Sequence, residues 1–423
     1  MTDVATQAEP AGIQSAAGHE RLLAQKHFLM FWFGQTVSRF GNGAYQVALG
    51  WSVYELSGSA AAMGTLLALN ILPEILLLLV GGALADRIPR RSVILAADTV
   101  AGLIMLALAL TAASGHLTFW LLAVSAMLLG ITGAFYGPAY ASMNQDLVSG
   151  RQFRKANSFF TASGNLARLT GPLAAGLLYA AGGATAVFAL NAASFAIAAI
   201  AMLFTTPPHG RSGQAPRRRQ SMRRALTEGL THTRKTAWIL IILATSLVTN
   251  CLCLAPYTVL LPALVRETHA GISTLGLLSA VEIAMVMLSA LAIGRLRAAS
   301  KAGYALLALA ACLGLGTLTL SAAPHQHALL FAGAALVGIG LSFDVVENTL
   351  LQTLVPQHLL SRVYSVNMVA SYSLLPLAYA LTGVVAKAVG MPAVLGMGGA
   401  VLVILCATAA CHPEVKKLNA ASW

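Results

Sequence analysis

Apolar runs, each about the length of a bilayer crossing, recur along this chain. A membrane α-helix takes about 20 consecutive apolar residues. Windows of that kind fall at 27–55, 60–84, 92–113, 118–139, 157–181, 184–205, 237–264, 274–294, 302–322, 328–350, 363–387 and 390–411, which predicts twelve transmembrane helices. The one long polar interval, 206–236, divides them six and six. The predicted organisation is a tail over 1–26, a six-helix bundle over 27–205, a basic linker over 206–236, a second bundle over 237–411 and a tail over 412–423. Within the linker, Pro207 to Gln220 reads as flexible. Met222, Ala225, Leu226, Gly229 and Leu230 then recur at helical spacing beside Arg223, Arg224 and Arg234, which suggests a short helix lying on the membrane surface. The first 25 residues lack an apolar core followed by a cleavage site, so the first helix is expected to insert uncleaved.

Composition agrees with the pattern. The 423 residues are 57% apolar and 9% charged, against roughly 25% charged in a soluble domain. So few charges cannot cover a water-exposed surface, and so much apolar content excludes disorder. The fold class expected is an all-α membrane protein with two pseudo-symmetric bundles.

The net charge of +12 would suggest a nucleic-acid partner in a soluble protein. Position removes that reading, and no nucleic acid is expected. With the N-terminus inside, 22 of the 26 basic residues fall on inward segments, and the outward side has Arg266 and Lys387. Basic residues concentrate in cytoplasmic loops, so both termini are expected in the cytoplasm of a bacterial-type inner membrane. The five cysteines, Cys251, Cys253, Cys312, Cys406 and Cys411, all lie in or at the end of apolar segments and read as small core residues. No spacing suits a metal, no glycine-rich phosphate loop is present, and no nucleophile–base set stands out. Neither an enzyme, a cofactor nor ATP drive is therefore expected.

The two halves match at one fixed offset, 207 residues. Ala83-Leu84-Ala85 corresponds to Ala290-Leu291-Ala292 and Arg90 to Arg297. Gly133, Gln145, Leu147, Val148, Ser158 and Gly176 correspond to Gly340, Gln352, Leu354, Val355, Ser365 and Gly383. Parallel repeats of six helices are a known transporter plan, with the substrate site between the halves.

The segment Gly82-Ala83-Leu84-Ala85-Asp86-Arg87-Ile88-Pro89-Arg90-Arg91 resembles the signature between the second and third helices of the major facilitator superfamily. Pro89 stands where that signature usually has glycine. The resemblance makes Gly82, Leu84, Asp86, Arg87, Arg90 and Arg91 a gate motif, with charge-assisted contacts that break and re-form across the half-to-half seam. In the fifth window, Gly171-Pro172-Leu173-Ala174-Ala175-Gly176 resembles the exporter-associated signature of that family, with Ser158 and Ala167 at the upstream positions and Ser, Ala and Ala replacing three of its glycines. Three further stretches resemble the proton-driven efflux branch that includes macrolide and enterobactin exporters. They are Gly137-Pro138 through Asp146-Leu147-Val148 to Ala156-Asn157, Leu351-Gln352 through Arg362-Val363, and Ser38-Arg39-Phe40-Gly41. Relatives often carry an acid after that last glycine; Asn42 stands here, so a proton role does not carry over to it.

Ionisable groups inside a membrane cost roughly 2.5–3.5 kcal/mol at mid-span and tend to be paired, hydrated or functional. Arg39, Glu74 and Arg168 are expected near the midplane. Glu74 follows Pro73, which loosens the helix. Glu74 is a candidate carrier of the coupling proton, switched between surroundings by alternating access; a permanent ion pair with Arg39 or Arg168 is the alternative. Glu282 is a second candidate carboxylate. Asp98, Asp344 and Glu347 lie nearer the inner face and read as partners of inward arginines. Asn70, Asn191 and Asn250 suit helix–helix hydrogen bonds. Tyr45, Gln46, Trp51, Asn250 and Tyr257 lie on the first and seventh helices, which line the cavity in this superfamily.

The function expected is secondary active export of an organic solute, a drug, siderophore or similar metabolite, by proton antiport through a monomer in the lipid bilayer. Uptake or lipid flipping by the same fold remains open. A non-transporting sensor or assembly protein is a third reading, which the midplane charges argue against.

Overall fold

A computed structural model describes residue 22 and residues 25–85, 88–148, 152–206, 230–231, 233–234, 236–295, 302–323 and 326–418. All regular structure among them is helical. The first half holds α1 (Lys26–Ser57), α2 (Ala60–Ala85), α3 (Arg90–Ala113), α4 (Phe119–Leu147) and α5 (Phe153–Leu203). The second holds α6 (Ala237–Val248), a π-helical stretch (Thr249–Leu254), α7 (Ala255–Glu267), α8 (Ile272–Arg295), α9 (Ala302–Ser321), α10 (His327–Leu341), α11 (Phe343–Leu354), α12 (Gln357–Tyr372), α13 (Leu375–Val389), α14 (Met391–Ala410) and α15 (Pro413–Leu418).

Among the described residues, ten helical runs are long and apolar enough to cross a membrane. One of them, Lys155–Leu203, breaks at Gly182–Gly183, where Gly183 has φ +63°. Left-handed backbone of this kind suits glycine because it has no Cβ. The break separates the predicted fifth and sixth spans. The first helix, Lys26–Ser57, is too polar to count among the ten. A twelve-helix count therefore takes both limbs of α5 and adds α1. Leu103, Leu110, Leu177 and Ile404 point outward and stay exposed, as a surface solvated by lipid requires. Most of the surface helix suggested within 222–234 lies outside the described residues; 230–231 and 233–234 are helical.

Two seams join the halves, α5 against α8 and α2 against α13. Both are close contacts at small residues. A Cβ on Gly176 would lie 2.9 Å from Ser273 Cα, and one on Gly383 would collide with the backbone of Ala61. These two glycines are a repeat pair, so the duplicated sequence places the same device on both seams. Ala61 and Ser273 start their helices and Gly383 is near the end of its own, so the contacts gather on the face away from the termini. α4, α11 and α12 make their extensive contacts within their own halves. Among the described residues, the halves thus meet on the face away from Lys26 and Leu418 and are parted on the other.

Candidate functional site

A cavity of about 660 Å³ lies between the halves. α1 and α5 supply one wall, with Arg39, Asn42, Gln46, Thr161, Asn165 and Arg168. α7 and α8 supply the other, with Tyr257, Thr258, Ser279 and Glu282. Gly50, Met63, Leu261 and Pro262 stop it toward the far face. The cavity is mixed in character, apolar over much of its wall and polar at a few convergent groups, as small-molecule sites commonly are.

Its charges sit on opposite walls. Glu282 accepts a 2.7 Å hydrogen bond from the Tyr257 hydroxyl. Arg168 makes no hydrogen bond or ion pair among the described residues, yet is near enough to attract the Glu282 carboxylate. Arg39 donates to the Phe160 carbonyl at 3.3 Å and lies 4.8 Å from the centre of the Tyr140 ring. Guanidinium over an aromatic face is favourable, and it leaves part of the fork directed at the cavity. Gly164 makes room for it, because a Cβ there would come 2.6 Å from Arg39 Nη1.

The glycine–proline signature of α5 lies where three helices meet. A Cβ on Gly171 would come 2.6 Å from the Phe40 carbonyl oxygen of α1, while the Pro172 carbonyl crowds Gly276 of α8. Small residues here let α5 contact both a partner of its own half and one of the other.

Several expected groupings differ in the structure. Glu74 does not join Arg39 or Arg168. It is exposed on α2, beside Gly133 of α4, whose Cβ would lie 3.5 Å from its carboxyl carbon. The arginines belong to α1 and α5, a different wall, so shared depth does not bring these groups together. Met63 and Glu74 are three helical turns apart on α2 and share a face, which directs Glu74 to the parted side of the seam.

Asp98 is not an arginine partner either. It is 2% exposed and accepts from Gln35 Nε2 at 3.0 Å, while Gln35 Oε1 accepts from the Tyr136 hydroxyl. Glu347 is buried and accepts from Ser246 and Asn367, and Asp344 is exposed with no ion pair among the described residues. For Asp98 and Glu347, burial inside a half keeps the carboxylate from the basic loops.

Of the predicted cavity residues, Gln46 and Tyr257 line the cavity. Tyr45 turns away and packs on Phe188, Trp51 donates to Glu55 at 2.8 Å near the far face, and Asn250 is buried in the π-helical stretch. Asn70 donates to the Ala126 carbonyl at 2.8 Å, the helix–helix bond expected of it.

In the gate motif, Asp86 and Arg87 lie outside the described residues, and Gly82 and Leu84 are described only as backbone of α2. Arg90 pairs with Asp146 and donates to the Ser142 carbonyl at 3.1 Å; Arg91 donates to the Met202 carbonyl at 3.2 Å and to that of Leu203. Both bases act inside the first half rather than across the seam. Arg91 meets orphan carbonyls at the end of α5, where a cation also suits the helix dipole.

Sequence reasoning missed Asn165, Ser279 and the Gln35–Asp98–Tyr136 chain. Asn165 precedes Arg168 by three residues and so shares its helix face, a signal that was available. The Gln35 chain joins three helices and left no local trace.

The family model for the Major Facilitator Superfamily matches residues 31–378. The multidrug efflux pump Tap of Mycolicibacterium fortuitum is 27% identical over 417 residues, covering 93% of this chain and 97% of that protein. Macrolide efflux protein A of Streptococcus pyogenes is 25% identical over 181 residues, or 43% of this chain and 45% of that one. Among solved structures, the nucleoside transporter NupG superposes with a TM-score of 0.69 at 12% identity, covering 90% of this chain and 98% of that one. A bacterial homologue of the iron transporter ferroportin, in its inward-facing state, gives 0.67 at 17% identity, covering 92% and 99%. These structures share the fold.

Proposed function

The chain belongs to the Major Facilitator Superfamily, and from that premise we propose that it exports an organic solute in exchange for protons. The cargo is a drug, a macrolide-like compound or another secondary metabolite, and it occupies the cavity between the halves. Both termini face the cytoplasm, so the parted side is inward and the closed side outward. The protein works as a monomer in the inner membrane.

One observation carries this reading. Arg39 and Arg168 line one wall of the cavity and Glu282, held by Tyr257, lines the other. Two arginines and a carboxylate in a membrane are costly unless they serve the traffic through it. Glu282 takes the coupling proton first in preference, because it shares the cavity with the cargo. A proton on Glu282 releases Arg168 from its attraction, and loss of the proton restores it. Glu74, on the parted side of α2, is the second candidate. The resemblance to efflux pumps supports export over uptake.

The test is a drug and siderophore susceptibility panel in a host lacking its own pumps. Expression should raise tolerance to at least one compound, and a protonophore or Glu282→Gln should remove the gain. A gain that survives both treatments argues against proton exchange. No change for any compound argues against export.

A further inference from the structure

A second buried polar cluster lies outside the cavity, within the second half. Glu347 on α11 is 4% exposed. Its Oε2 accepts from Ser246 Oγ at 2.9 Å and its Oε1 from Asn367 Nδ2 at 2.7 Å. No base lies within ion-pairing distance of it among the described residues. The ionisable groups whose fields couple to it, Asp344, Tyr364 and Tyr372, are acids or phenols. A buried carboxylate without a counter-charge is expensive.

Three more oxygens nearby lack partners. Asn367 Oδ1, Ser371 Oγ and Thr249 Oγ1 are buried and make no hydrogen bond. Ser371 lies one turn beyond Asn367 on α12, and Thr249 one turn beyond Ser246, so each falls on the same face as a ligand of Glu347. Thr249 also opens the π-helical stretch Thr249–Leu254, a feature found mostly at functional sites. Native interiors seldom leave such groups unsatisfied, and each exception calls for an explanation. A proton would satisfy one oxygen. A cation coordinated by several oxygens at once would satisfy all of them and balance the charge.

The internal repeat points the same way. The 207-residue offset maps Ser246, Glu347 and Asn367 onto Arg39, Tyr140 and Phe160. Those three residues also meet: the Arg39 guanidinium lies over the Tyr140 ring and donates to the Phe160 carbonyl. The place that holds a tethered cation in one half is lined in the other by a carboxylate, an amide and hydroxyls.

We propose that Glu347, Asn367, Ser246, Ser371 and Thr249 form a binding site for a small monovalent cation, sodium. Oxygen-only ligands with a single carboxylate suit a hard cation of low charge. The site is separate from the cavity and does not depend on proton-driven export.

The test uses the purified full chain in detergent, with sodium chloride titrated against choline chloride at constant ionic strength. Thermal stability and binding of radioactive sodium are the readouts. Sodium should stabilise saturably and choline should not. Glu347→Gln should weaken sodium binding at least tenfold and Ser371→Ala several-fold, while Glu282→Gln leaves it unchanged. Equal responses to sodium and choline in the unaltered protein, or unaltered sodium binding in Glu347→Gln, overturn the proposal. Where Glu347→Gln does not fold, Ser371→Ala decides: an unchanged affinity there also overturns it. Equal responses to sodium and choline in an unaltered protein that still exports refute this site alone and leave the proposed export standing.

Discussion

Tyr257 on α7 holds Glu282 on α8 by a 2.7 Å hydrogen bond from hydroxyl to carboxylate, inside the cavity. A hydrogen bond to a charged group contributes about 1.5–3 kcal/mol. Tyr257→Phe should slow proton-coupled transport by about tenfold or more, since ~1.4 kcal/mol is a factor of ten, and should lower stability by no more than that contribution. Initial rates in vesicles check this. A Phe variant with the unaltered rate would show that the bond has no part in the cycle.

Arg90 and Asp146 form a pair at a helix junction of the first half, with side chains 30% and 27% exposed. Partly solvated pairs contribute roughly 0.2–1 kcal/mol. A double-mutant cycle on Arg90→Ala and Asp146→Ala, read by unfolding in detergent, should give a coupling in that range. A gate contact across the seam would behave differently, because its loss would change the balance of conformers and not only the stability of one half.

Gly383 closes the α2–α13 seam against the backbone of Ala61. Gly383→Val puts a side chain where no space exists and should force the far face apart. Spin labels at Ser59 and Lys387, both beside that seam, should move apart by several ångströms on average. Transport should fall below a tenth of normal, because the cycle needs this face to shut. Unchanged label distances would contradict the closure described.

Asp98 and Gln35 form a buried pair that also holds Tyr136. Asp98→Ala leaves the Gln35 amide without its acceptor, at a cost of about 1–3 kcal/mol. Asp98→Asn keeps an acceptor and should be milder. Asp98→Ala should show the lower melting temperature of the two; equal losses would mean that the carboxylate charge, not the hydrogen bond, is what this position needs.

Much of the fold was legible because a bilayer leaves the chain little choice. Only long apolar helices cross it, so the windows fell on the helices, and the boundary between 181 and 184 landed on the Gly182–Gly183 break. The repeat pair Gly176 and Gly383 was legible as a repeat, and only the structure places it on the two seams. The rotation of each helix was harder to read. Tyr45 and Gln46 are neighbours, about 100° apart around α1, yet Gln46 faces the cavity and Tyr45 packs on Phe188. Polar and apolar residues are mixed all round α1, which gives no face to read. Depth along a helix was equally insufficient for Glu74, which was expected at the level of Arg39 and Arg168 but stands beside Gly133 of α4, away from their wall. The pairing of Asp98 with Gln35 joins residues 63 positions apart, and nothing local announces it.

The central claim is that cargo leaves through this cavity in exchange for a proton carried by Glu282. The most direct measurement is proton movement in inverted vesicles with a pH-sensitive dye in the lumen, after addition of a compound to which the pump confers tolerance. The unaltered protein should release protons from the lumen in a saturable, substrate-dependent way, Glu282→Gln should bind the compound without releasing protons, and Glu74→Gln should show whether α2 contributes. Full substrate-linked proton release by Glu282→Gln would contradict the account.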